Sequence, residues 1–363
     1  MTGLHSSDPS TVSLRTVSLS IAARAPEVTI EEIGNALYVD RTLVRILGMR
    51  RTMWVVPTEF ANIIDSSSTK ALVAAQRKRQ AWMIESSGIA GDGMAWADRV
   101  GEATLEALRN RGEATARELT EDVPELGQKI TFHRKDGSLA DEVGASTRVL
   151  FLLATEGRIV RAKPLGTWIS SQYRWTAIET WLGKPFDDLD QNESRDRLVS
   201  TWLRVFGPGS ETDIKWWTGW TLGQVRKSLE RVAAVEVELD GQPGWLDKSD
   251  TGVPEVTQPW VALLPSLDPT TMGWKERTWY LGDYSDQLFD RNGNAGPTVW
   301  VDGRIVGGWA QRESGEVFFE LFEDVGSAAN EAIENQAHRL SQWIGAVRVT
   351  ARFRSPHDKK LSR

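Results

Sequence analysis

Apolar residues between Thr29 and Leu43 recur at Ile30, Ile33, Ala36 and Leu37, a spacing that gathers them on one helical face. Thr29 stands three residues ahead of Glu32, so its hydroxyl and the Glu32 carboxylate can cap the helix start reciprocally. The pattern then changes. LVRILGMRRTMWVVP carries two β-rich runs around Gly48–Arg51 and is closed by Pro57, which predicts a two-stranded hairpin. Thr58–Ser86 reads as mostly helical, and the small residues of Ser87–Gly93 mark a boundary.

From Ala95 a fuller pattern unfolds. It has a helix to Arg111 stopped by Gly112, a short helix at Thr115–Thr120, and a third across Asp141–Glu156 ended by Gly157. RIVRAKPLGTWISSQYRW follows, alternating about a Pro164–Gly166 turn as a hairpin does. The same order of three helices and a hairpin returns at Asn192–Phe206, Ser210–Trp217, Thr221–Arg231 and the strand VAAVEVEL with its Asp240–Gly241 turn. Helix, helix, helix, hairpin is the order of a winged helix, and spaced copies of one topology predict tandem units.

Past Pro254 the chain breaks into short apolar runs separated by Gly, Pro and Asn: WVALLPSLDP, TVWVDGRIVGGWAQR and GEVFFELF. They predict an antiparallel sheet with a tight turn at Asp302–Gly303, then a helix over Ser327–Trp343 and a last strand over Ala346–Phe353. The expected fold class is therefore α+β: three tandem winged-helix units followed by a C-terminal β-rich, barrel-like α+β region. The expected boundaries are 1–90, 94–183, 190–253 and 254–363.

Composition narrows the chemistry. The 363 residues include no cysteine, which agrees with a reducing, cytoplasmic location and removes disulfides, thiolate nucleophiles and cysteine-ligated metals. The four histidines are scattered, so no metal and no cofactor are expected. No stretch is apolar enough to span a bilayer, and no membrane partner is expected. The net charge of -7 argues against a polyanionic partner until its distribution is read. Arg41–Arg79 holds eight basic residues against two acids, and Gly157–Thr176 holds four basic residues and no acid. This polarity points to double-stranded DNA. The phosphate-contact candidates are Arg50 and Arg51 at the first hairpin turn, Arg77, Lys78 and Arg79 in the following helix, and Arg161, Lys163 and Arg174 in the second hairpin. Most of the 17 tryptophans belong to predicted cores, and only Trp168, beside those basic residues, is a candidate for stacking on bases.

RTLVRILGMRRTMWVVP, LATEGRIVRAKPLGTWISSQYRW, FGPGSETDIKWWTGWT and LLPSLDPTTMGWKERTWYL followed by FDRNGNAGPTVWVDGRIVGGW carry a further signal. In these segments, and in their order, the chain resembles the winged-helix DNA-binding family of AlkZ-like alkylpurine DNA glycosylases. The resemblance implies three winged helices and a β-rich unit forming a C-shaped clamp on DNA. With three such units in one chain and no heptad-like dimerisation helix in the sequence, a monomer is expected, associated with the nucleoid when bound. It implies hydrolysis of the N-glycosidic bond of bulky N7-alkylpurine adducts or crosslinks in DNA repair. The family's catalytic Gln-x-Gln or Gln-x-Asp motif falls on GLHSSDP, where His5 stands in place of the first glutamine, Ser7 in place of the second catalytic residue, and Asp8 follows. A helix usually precedes that motif in the family. Only four residues stand ahead of His5, so the expectation is either a shortened start or a first winged helix that lacks its first helix.

The substituted motif is chemically competent. N7-alkylation makes the purine a cationic leaving group, so the enzyme has chiefly to place a water and stabilise an oxocarbenium-like sugar. A neutral His5 can accept the water's proton, Ser7 can hold the water, and an ionised Asp8 can face the positive sugar. The alternative from the same residues is a DNA-binding protein, a damage sensor or regulator, that kept the clamp and lost the glutamines.

Overall fold

The computed structural model describes residues 14–133, 139–250, 252, 260–351 and 354–362. Its contacts fall into two compact units: Gly34–Leu198 forms one, and the described residues up to Ile33 together with those from Val199 onward form the other.

The chain opens with helix α1 (Leu14–Arg24) and helix α2 (Ile30–Tyr38). The capping box at the start of α2 is present: the Thr29 N–H donates to Glu32 Oε2 at 2.8 Å, and the Glu32 N–H donates to Thr29 Oγ1 at 3.2 Å. Strands β1 (Leu43–Leu47) and β2 (Met53–Pro57) pair antiparallel, Leu43 opposite Pro57 and Leu47 opposite Met53. Helix α3 (Thr58–Ile64) runs into a π-helical turn, Asp65–Thr69, and then into α4 (Lys70–Ser86). A π turn inside a helix widens the backbone and is common at functional sites.

Helix α5 (Gly93–Arg111) packs directly against α4. A Cβ on Gly93 would lie 2.2 Å from the carbonyl oxygen of Ala81, so only glycine permits this approach. Strand β3 (Ala114–Thr115) leads to α6 (Ala116–Asp122), which starts at a second capping box, Thr115 with Glu118. Strands β4 (Lys129–His133) and β5 (Leu139–Gly144) pair, and then α7 (Ala145–Thr155) begins. The expected third helix from Asp141 is corrected here. Asp141 lies in β5 opposite Phe132, because pairing across the hairpin overrides the helical look of the segment. Strands β6 (Ile159–Pro164) and β7 (Tyr173–Ala177) form a three-stranded sheet in the order β3-β7-β6, followed by α8 (Ile178–Leu182). Trp96, Val100, Leu105 and Leu108 of α5 and Val149 and Leu153 of α7 form the centre of this unit's core, which Met83 and Ile84 of α4 join.

Helices α9 (Gln191–Phe206), α10 (Glu211–Thr218) and α11 (Leu222–Arg231) precede the hairpin of β8 (Val235–Leu239) and β9 (Gln242–Leu246). Helices α10 and α11 both start at capping boxes, Ser210 with Asp213 and Thr221 with Gln224. Asp240 and Gly241, at φ 48° and 79°, make the tight turn that the sequence predicts.

The remaining residues form β10 (Val261–Leu264), short helices α12 (Thr278–Leu281) and α13 (Ser285–Leu288), strands β11 (Thr298–Val301), β12 (Arg304–Gln311) and β13 (Val317–Leu321), then α14 (Ser327–Ile344) and α15 (Pro356–Leu361). The four strands pair in sequence order as an antiparallel meander whose turn, Asp302–Gly303, sits at φ 47° and 82°. Among the described residues β10 and β13 are edges, so the sheet is open and the expected barrel is corrected to a meander. The expected final strand is also corrected. Residues 346–351 carry no strand, and α15 follows, started by Ser355 Oγ accepting from the Asp358 N–H. Tyr280 stacks on Trp300 in this unit's core at 5.2 Å between ring centroids.

Candidate nucleic-acid interface and buried arginine cluster

His5, Ser7 and Asp8 lie outside the described residues. The described element that follows them is α1, and it is fixed on the loop after β10 by one carboxylate. Asp268, 0% exposed, accepts from Arg24 Nη1 at 3.0 Å, from Arg24 Nη2 at 2.8 Å, from Ser20 Oγ at 2.6 Å and from the Thr270 N–H at 2.9 Å. Thr16 Oγ1 adds a bond to the Ser266 carbonyl at 3.1 Å. A buried carboxylate with all its lone pairs engaged is a rigid anchor, and it lies in the LLPSLDP segment. Sequence reasoning singled out that segment and not this residue.

The structure sorts the basic candidates by what they already touch. Arg50 and Arg51 sit half-buried at the tip of the β1–β2 hairpin, both left-handed at φ 56° and 60°. Arg77 is turned inward: its Nε donates to Glu156 Oε1 and its Nη1 to Asp98 Oδ1, each at 2.6 Å, tying α4 to α7 and α5. Lys78 and Arg79, next along the same helix, are exposed and have no ion-pair partner among the described residues. Arg174 reaches Glu118 Oε2 at 3.4 Å, and Trp168 is half-buried in the loop between β6 and β7.

Arg161 and Lys163, two positions apart on β6, differ sharply: Arg161 is 6% exposed and Lys163 lies in solvent. A register shift between Arg161 and Pro164 explains this, since a bulge breaks the alternation that would put both on one face. The Arg161 guanidinium lies over the rings of Tyr173, at 4.9 Å, and Trp175, at 5.2 Å.

A second guanidinium meets the same tyrosine. Arg45 of β1, 3% exposed, lies 4.3 Å from the Tyr173 centroid, and its two terminal nitrogens have no hydrogen-bond partner among the described residues. Arg45, Arg161, Trp175, Phe186 and Asp65 line a cavity of about 10 Å³, room for about one water. Asp65 opens the π turn. Burial pushes its carboxyl up to about 6, with Lys70 Nζ at 3.8 Å opposing the shift. Burial also raises the Tyr38 phenol, against the nearby Arg45 charge. The cluster can hold a water between hydrogen-bond donors and a carboxyl whose hold on its proton is strengthened by burial. Arg45 and Asp65 were not predicted as site residues. The only signal for them is a lone acid at the end of the run FANIID and a lone base inside the apolar run LVRIL.

Among the described residues no group of three His, Asp or Glu side chains could hold a metal ion, and no helix is long and apolar enough to cross a membrane.

Three comparisons set this chain among known proteins. Comparison with curated proteins finds no match. The solved structure of the Streptomyces sahachiroi DNA glycosylase AlkZ is similar, with a TM-score of 0.66 over 92% of this chain and 88% of that one at 18% sequence identity, a likeness of fold. Residues 1–343 match the family described as DNA glycosylase AlkZ-like. With nearly its whole length inside that match, the chain belongs to the AlkZ-like DNA glycosylase family.

Proposed function

We propose that the protein is a monofunctional DNA glycosylase that hydrolyses the N-glycosidic bond of bulky N7-alkylpurine adducts or crosslinks in double-stranded DNA. The observation that carries this reading is the family match over residues 1–343, a span that includes the His5-x-Ser7-Asp8 motif. In the reaction a water oxygen bonds to C1′ as the C1′–N9 bond breaks, the electron pair leaves with the cationic purine, and the water's proton passes to His5. Ser7 orients the water, and Asp8 faces the charge that develops on the sugar. The helix–helix–helix–hairpin orders of α5, α6, α7 with β6–β7 and of α9, α10, α11 with β8–β9 support a reading as winged helices. The first of these carries the extra hairpin β4–β5 between its second and third helices.

For phosphate contact, the exposed Lys78, Arg79 and Lys163 and the half-buried Arg50, Arg51 and Arg174 are the best placed of the candidates, and the half-buried Trp168 is the candidate for stacking on bases. Arg77 and Arg161 act from beneath by holding the helix and strand that present them.

The test is incubation with N7-alkylated duplex DNA carrying several adducts, followed by heat or alkali. Strand breaks at the adducted purines are expected. His5→Ala should slow their appearance by about 100-fold, the scale of a lost general base. Tight duplex binding with no base release from any adduct would leave the second reading, a DNA-binding damage sensor, which the replacement of both motif glutamines favours.

A further inference from the structure

Helix α4 presents an outer face that the core of its own unit does not use. Ala71, Ala75, Lys78 and Trp82, at i, i+4, i+7 and i+11, share that face, and Ala74 and Arg79 flank it; all six are exposed. Trp82 is 60% exposed, an unusual setting for the largest side chain. Lys78 lies one turn before it and Arg79 three positions before it, and neither has an ion-pair partner among the described residues. The acid at the end of the face is occupied, since Glu85 Oε1 accepts from the Gly93 N–H at 2.9 Å. The inner side of the helix is held by Arg77 on Glu156 and Asp98, so the face is rigid. The other prominently exposed tryptophans are set differently. Trp279 packs edge-on against Trp274 and Tyr280 and follows Glu276, and Trp260 borders residues that are not described.

We infer that the Lys78–Arg79–Trp82 face of α4 binds an unpaired stretch of DNA strand, with a base stacked on the Trp82 indole and the flanking phosphates on Lys78 and Arg79. This rests on the proposed action on DNA and specifies a strand state for it. Two cations alone would serve a duplex equally well. An exposed indole beside them adds something only where a base face is free, because in a duplex every base face is covered by its neighbours. Chemistry on a base that must leave the stack creates such a free face. The three alanines leave the approach to the helix unobstructed.

The test compares two labelled oligonucleotides of equal length, an intact duplex and the same duplex with a central unpaired thymine run, titrated with the full chain by fluorescence anisotropy at several salt concentrations. The unpaired run should bind about tenfold more tightly, the scale of one base–aromatic stack. Trp82→Ala should remove that preference and Trp82→Phe should keep most of it. Lys78→Gln with Arg79→Gln should weaken binding to both and lower the slope of log K against log salt by about one to two. Equal affinity of the wild type for both oligonucleotides, or a preference that survives Trp82→Ala, overturns the inference and leaves the DNA reading intact. Failure to bind either one overturns both.

Discussion

Arg24 and Asp268 lie 244 residues apart in sequence and form a two-pronged ion pair, Nη1 to Oδ2 at 3.0 Å and Nη2 to Oδ1 at 2.8 Å. The partners are unequal, because the Asp268 side chain is fully buried and that of Arg24 is 46% exposed. Removing the buried acid takes the acceptor from the Ser20 hydroxyl and the Thr270 N–H and leaves the guanidinium only the Ser20 carbonyl and the Thr270 hydroxyl, whereas removing the arginine leaves a carboxylate that still holds two donors. Asp268→Ala should therefore lower stability by about 2–4 kcal/mol and Arg24→Ala by about 1 kcal/mol. Urea unfolding of the two variants measures the difference, and equal losses would mean that Asp268 is not the anchor of α1.

The buried cluster makes a pH-dependent statement. Folding raises the Asp65 carboxyl from 3.8 to about 6, so the folded state binds this proton more tightly than the unfolded chain does. Stability tied to Asp65 is thus greatest below about pH 4, is lost as pH rises through 6, and is constant above. A shift of that size corresponds to roughly 3 kcal/mol. Asp65→Asn, neutral at every pH, should match the wild type near pH 4 and exceed it by about 1–3 kcal/mol at pH 8. Chemical denaturation at four or five pH values gives the curve, and a constant difference between the two proteins would rule out the raised carboxyl.

Gly93 tests the packing of α4 on α5 without removing any polar side chain. An added methyl would meet the Ala81 carbonyl oxygen at 2.2 Å, backbone that cannot swing aside, whereas a methyl on Gly91 meets open space. Gly93→Ala should cost about 2–3 kcal/mol, and Gly91→Ala should change stability by less than about 0.5 kcal/mol. Thermal melting of both against the wild type checks the pair. A Gly93→Ala protein as stable as the wild type would show that the helices can separate freely.

The features legible in the sequence were those written locally. Thr29 with Glu32, Asp240–Gly241 and Asp302–Gly303 each encode a helix start or a turn within four residues, and each is where the pattern placed it. The helix expected over Ser327–Trp343 runs Ser327–Ile344 for the same reason. The local pattern misleads where a distant segment decides. Asp141–Gly144 reads as the start of a helix, yet it belongs to a strand because Lys129–His133 lies beside it. Arg161 and Lys163 look equivalent until the bulge before Pro164 turns one inward. The Arg45 and Asp65 cluster was invisible, since Arg45, Asp65, Arg161 and Tyr173 converge only through folding. The motif residues His5, Ser7 and Asp8 came from resemblance alone and lie outside the described residues.

The Arg77–Lys78–Arg79 triplet shows the same limit within three residues and yields a separation of effects. Read as sequence, the three are equivalent cations. On α4 they are 100° apart in turn, so Arg77 points to Glu156, whose side chain is nearly buried, while the other two face solvent. Arg77→Gln leaves the Glu156 carboxylate only the Arg158 guanidinium, 4.0 Å away, and loosens α4 from α5 and α7, and should cost about 1–2 kcal/mol. Lys78→Gln and Arg79→Gln remove charges that touch nothing described and should leave stability within about 0.5 kcal/mol. DNA affinity should respond in the opposite order, weakening with a shallower salt dependence for the latter two and changing little for Arg77→Gln at temperatures where it stays folded. Unfolding curves and salt-titrated binding on the three variants decide it. If all three lose affinity and stability together, the triplet is one structural feature and the outer face of α4 is not an interface.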